Sequence, residues 1–118
     1  MNAETINAIC VKLSRENQCV VFNLDYLLAP EHKSPAGAIS FYKAVKHIAE
    51  NAAIYDVDPG KIALVGYYEN IVAGAAYHLA LHGESHLIKC MILIDPLLSN
   101  EISKHPESEL NSFEKPFI

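Results

Sequence analysis

Three short runs of almost uniformly apolar residues constrain this 118-residue chain more than any other feature: 19–24, 62–65 and 87–94. Each is too brief for a core helix and is rich in valine, isoleucine, leucine and phenylalanine. Such runs read as strands buried on both faces. Between them lie stretches with apolar residues at helical spacing. Residues 4–17 place Ile6, Ile9, Cys10 and Leu13 on one side and Lys12, Arg15 and Glu16 on the other. Ser34-Pro35 reads as an N-cap with proline at the first helical position, and Ile39, Tyr42, Val45, Ile48, Ala49 and Ala52 carry a second stripe to about residue 53. A small-residue helix is predicted over 69–82, with Gly83 closing it. Asp58-Pro59-Gly60 is a turn signal, in which Asp56 and Asp58 serve as turn residues rather than acid–base groups.

Helix and strand therefore alternate three times, which predicts an α/β fold: a three-layer α/β/α arrangement with a short parallel sheet. Residues 1–96 form the expected domain, and 97–118, interrupted by Pro106 and Pro116, an irregular C-terminal tail. With 51% hydrophobic and 19% charged residues, the chain is no disordered segment. Its formal charge of -5 offers no basic stripe for nucleic acid. No apolar run approaches the roughly 20 residues of a membrane span, and the start lacks the layout of a secretory signal. Three scattered cysteines, Cys10, Cys19 and Cys90, fit a reducing compartment, so a cytoplasmic location is expected.

Residues 25–36, Asp-Tyr-Leu-Leu-Ala-Pro-Glu-His-Lys-Ser-Pro-Ala, resemble a motif of the hormone-sensitive-lipase branch of the α/β-hydrolase esterases. That family reads Asp-Tyr-Arg-Leu-Ala-Pro-Glu and then Pro-Ala, so Asp25, Tyr26, Ala29, Pro30 and Glu31 match and Leu27 departs. Residues 58–66 resemble the family's approach to its nucleophile elbow, and 93–98 the strand and proline that follow the elbow helix. A weaker echo lies at 112–117. The resemblance implies a partial α/β-hydrolase fold. It begins after the family's His-Gly-Gly-Gly oxyanion loop and stops before the strands bearing the catalytic Asp and His, so neither of those residues can be carried over.

The family's elbow reads Gly-Asp-Ser-Ala-Gly-Gly. Here the same place holds Gly66, Tyr67, Tyr68, Glu69, Asn70 and Ile71. Tyr68 stands where the serine nucleophile belongs, and Asn70 and Ile71 stand where glycines make room for a strained turn. A phenol ionises near pH 10 and needs a base held by a third group, and no such pair is assignable. Tyr67 and Tyr68 read as packing residues, and no catalytic residue is assigned. No cofactor or metal is expected either: Gly66 is alone in its turn, and His78, His82 and His86 recur every fourth residue without a carboxylate or thiol to complete a set. Lys43, Lys46 and Glu50 read as a solvated face.

The resemblance places the family's strand after the oxyanion-loop region, absent here, between the runs at 19–24 and 62–65. A three-stranded remnant must pair these two runs directly, recruit a strand from a partner, or leave apolar edges bare. The sequence therefore reads as a catalytically inactive esterase-like or lipase-like protein acting as an interaction or self-assembly module. Its expected partner is a second copy or another protein at the exposed sheet edge. The alternatives are half of a carboxylic ester hydrolase completed by a partner chain, or a gene remnant without activity.

Overall fold

The computed structural model of the chain describes residues 3–26, 30–67 and 70–95. Helix α1 spans Ala3–Asn17, α2 Ala36–Glu50 and α3 Ile71–Leu81, with strands β1 at Ala63–Tyr67 and β2 at Cys90–Ile94. A single 3-10 turn, Ser85–Leu87, leads into β2. The two strands pair in parallel, with Val65 opposite Ile92 and Gly66 opposite Leu93.

The core forms where α2 and α3 pack on one face of this sheet. Tyr42 and Val45 from α2, Leu64 from β1, and Val72, Ala75 and Leu79 from α3 are buried together, with Phe41, Ile62 and Leu93 packed around them. Period two along β1 decides which residues face it. Leu64 and Gly66 are buried, whereas Val65 turns to the opposite face and is 40% exposed beside Ile92 at 50%. Two glycines permit the close approaches. A methyl on Gly66 would lie 3.0 Å from both Cβ and Cγ2 of Val72, and one on Gly74 would lie 2.8 Å from Ala38 Cβ.

Helix ends follow local hydrogen bonding. Gly83 adopts φ +68, which lets its N–H reach the Ala80 carbonyl at 3.1 Å and the Glu84 N–H reach Leu79 at 2.7 Å. This pair of returning bonds is the Schellman arrangement expected of a C-terminal glycine. In the 58–60 turn, Asp58 Oδ1 accepts the Gly60 N–H at 2.8 Å, as its turn reading requires.

Three expectations are corrected. Residues 19–24 do not form a strand: they join no ladder, and among the described residues β1 has β2 as its sole strand neighbour. High strand propensity does not make a strand without a hydrogen-bonding edge beside it. The run is instead held locally, by the Cys19 N–H bonded to Ser14 at 3.2 Å and by Phe22 set edge-on to Tyr55 at 5.1 Å. Ser34 is not the N-cap of α2. Pro35 holds that position, without a side-chain cap, and its carbonyl takes the Ile39 N–H at 3.0 Å. Helix α2 also stops at Glu50 rather than near 53, because Asn51 doubles back with its amide Nδ2 on the His47 carbonyl at 2.8 Å. The expected tail, 97–118, lies outside the described residues.

Candidate functional site

The corner between β1 and α3 is where the sequence places the altered elbow. Gly66 sits in β1 against Val72, which explains why a glycine persists there: any side chain on that face would collide with the helix. Tyr67 ends the strand half-buried. Tyr68 and Glu69 lie outside the described residues. Asn70 caps α3 through its backbone, its carbonyl accepting the Gly74 N–H at 2.8 Å, while its side chain makes no capping bond. Asn70 is nonetheless only 3% exposed. An amide side chain thus fills the packed corner where the family resemblance puts a glycine.

The family-like loop divides in the same way. Asp25, Pro30 and Glu31 are exposed, while Tyr26 is half-buried and tilts against Phe41 at 6.4 Å. Leu27, Leu28 and Ala29 lie outside the described residues. Tyr26 is therefore the member of this motif that ties the loop to α2, and the exposed members bring no chemistry to the elbow.

Beside β1 opens a cavity of about 850 Å3. The α1 stripe of Ile6, Ile9, Cys10 and Leu13 lines it, as do residues 19–24, Val45 and Ile48 of α2, and Ala63 and Val65 of β1. Charge enters this lining only through Asp56, Asp58 and Lys61, all from one turn. Such a cavity suits an apolar occupant.

A polar cluster that sequence reasoning missed joins the body of α2 to the segment just past α3. The Tyr42 hydroxyl donates to Glu84 Oε1 at 2.6 Å, and Lys46 Nζ lies 3.1 Å from Oε2 of the same carboxylate. Lys46 is thus paired rather than simply solvated, as its place on a polar helix face implied. The Tyr42 hydrogen bond, reinforced by Lys46, holds the Glu84 carboxyl below the usual glutamate range. The same hydrogen bond, with burial and the nearby negative charge, pushes the Tyr42 phenol up. Bonding to Glu84 likewise raises Lys46. His82 stacks on the Tyr42 ring at 5.2 Å and donates from Nδ1 to the His78 carbonyl at 2.7 Å. Those histidines are committed to packing and capping, and among the described residues no three His, Cys, Asp or Glu side chains gather as metal ligands. The cluster pins two helices together. With its phenol pushed up rather than down, Tyr42 is the less able to act as a nucleophile.

The α/β-hydrolase fold family matches residues 1–118, the whole of the sequence. The chain belongs to that family. It is similar to carboxylesterase NlhH of Mycobacterium tuberculosis, 45% identical over 49 residues, covering 42% of this chain and 15% of that protein. It is also 33% identical over 99 residues to mouse arylacetamide deacetylase-like 3, covering 80% of this chain and 24% of the relative. Among solved structures, a hyperthermophilic esterase of the archaeon Pyrobaculum calidifontis superposes with a TM-score of 0.78 at 35% identity, covering 92% of this chain and 34% of that one. The chain thus spans about a third or less of each of these relatives. The esterase resemblance read from residues 25–36 and 58–66 holds, as does the partial α/β-hydrolase fold with its short parallel sheet. Among the described residues, no helix is long and apolar enough to cross a membrane.

Proposed function

We propose that this chain is a catalytically inactive, esterase-like member of the α/β-hydrolase family that acts as an interaction or self-assembly module. The observation that carries the reading is the elbow sequence, with Tyr68 in the place of the family's serine. The buried Asn70 two residues beyond supports it, because that corner has already been filled by a side chain. A phenol is a poor nucleophile without an activating base. The edge of β1 that has no strand neighbour among the described residues, beside an apolar cavity, supports the assembly limb. Three free cysteines suit a reducing compartment, and the reading assigns the chain to the cytoplasm.

A second reading draws on the relatives, which are named as esterases and are far longer: one part of a carboxylic ester hydrolase completed by another chain. Short-chain p-nitrophenyl esters and a fluorophosphonate probe separate the two when applied both to the purified chain and to the chain with the partners that co-purify with it from its host. The first reading expects neither turnover nor covalent labelling by the purified chain. Turnover or labelling that disappears in Tyr68→Phe would overturn it and favour the second.

A further inference from the structure

We infer that the cavity beside β1 is filled by residues 19–24 of a second copy of this chain, in a reciprocal exchange that gives a symmetric dimer. The inference rests on the assembly limb of the proposed function and specifies its partner and surface. Each copy carries two unsatisfied halves of one contact. Residues 19–24 have the composition of a buried strand yet join no ladder, with Val20 53% and Phe22 36% exposed. Among the described residues strand β1 has β2 on one side only, and its other side borders a cavity that residues 19–24 also line.

Twofold symmetry satisfies both halves at once. When the partner's run enters the cavity, this copy's run enters the partner's cavity. The sheet then passes continuously from β2 and β1, through the partner's run and this copy's own run, to the partner's β1 and β2. Neither copy then keeps a bare inner edge. The α1 stripe of Ile6, Ile9, Cys10 and Leu13 lines the same cavity and supplies an apolar cover for the inserted run. The scarcity of charge in that lining matches the run, which has none.

The area is sufficient. An extended six-residue segment exposes roughly 1,000 Å2, and at the exposures of Val20 and Phe22 about 400 Å2 of this one remains open. The cavity wall that closes on it includes part of this copy's own run, which counts once. Made twice, the exchange buries on the order of 1,200 Å2, at the lower end of the range of specific interfaces.

Light scattering on the full chain at tens of micromolar tests the dimer. A half-labelled sample tests the surface, through isotope-filtered NOEs between residues 19–24 of one copy and β1 of the other. Val65→Lys and Val20→Lys alter exposed side chains outside the buried core, and circular dichroism confirms that each folds. Each is expected to raise the dimer dissociation constant about tenfold or more. A monomer overturns the exchange and self-assembly together. A dimer whose intercopy NOEs lie elsewhere, or one indifferent to both lysines, overturns the exchange and leaves assembly standing. Ester turnover bears on the inactivity alone.

Discussion

Replacing Gly74 with alanine sets two effects of opposite sign against each other. Within a helix, glycine to alanine is worth about 1 kcal/mol in favour of folding, because alanine loses less backbone freedom. At this position the new methyl would stand 2.8 Å from Ala38 Cβ, closer than methyl groups approach, so α2 and α3 must part. Overpacking of a close helix contact costs about 1–3 kcal/mol. The steric term wins, and Gly74→Ala is expected to lose about 1 kcal/mol, or roughly 3–6 °C in Tm for a domain of this size. Ala38→Gly removes the other methyl and costs about 0.5–1 kcal/mol of helix propensity on its own. Combined, the two changes restore the spacing with the methyl transferred from one helix to the other. The double variant is therefore more stable than the sum of the single losses by about 1 kcal/mol or more. Urea unfolding followed by far-UV circular dichroism at neutral pH reads these differences as midpoint shifts at constant slope. A Gly74→Ala chain more stable than the parent, or a double variant that is strictly additive, refutes the claim that contact with Ala38 sets the helix spacing.

Gly83 offers the contrasting case, with open space around it but φ at +68. Gly83→Ala is expected to cost about 1 kcal/mol and Gly83→Asn less, since asparagine tolerates the left-handed region better; equal urea midpoints for all three would remove the C-terminal motif from the account of stability. Glu84→Gln tests the polar cluster through pH. Because the folded-state value of Glu84 lies below its ordinary 4.5, its contribution is complete above that value and is lost as pH falls through the lowered one. The variant should be less stable than the parent at neutral pH, with the gap closing in acid, and its Tyr42 phenol should ionise at lower pH by absorbance. A gap that persists unchanged into strong acid would exclude the carboxylate as its source.

The legible parts of this fold are those set by neighbours in sequence. Ile6, Ile9, Cys10 and Leu13 announce α1 by their spacing, and Gly83 announces the end of α3, because each depends on residues within a turn or two. The fate of residues 19–24 does not follow from their composition. A strand exists only where another backbone stands beside it, and that pairing is a property of distant chain. The Tyr42–Glu84 bond joins residues 42 positions apart, so no local pattern betrays it, and Lys46 looks like an ordinary solvated lysine until Glu84 arrives. At the elbow, Gly66 and Asn70 are legible in kind but not in cause: the sequence marks a changed corner, and packing against Val72 shows why the glycine alone was kept.

The buried cluster draws on residues from Tyr42 to Leu79, with Leu93 packed against it, and takes nothing from α1. The amino-terminal helix can therefore detach and find a new seat while the interior stays sealed. Low-energy opening of a peripheral segment, with the remainder intact, is the ordinary starting point for strand exchange between identical molecules. In this chain such a release would uncover the half-buried α1 stripe of Ile6, Ile9, Cys10 and Leu13 while leaving the α2–α3 interior closed.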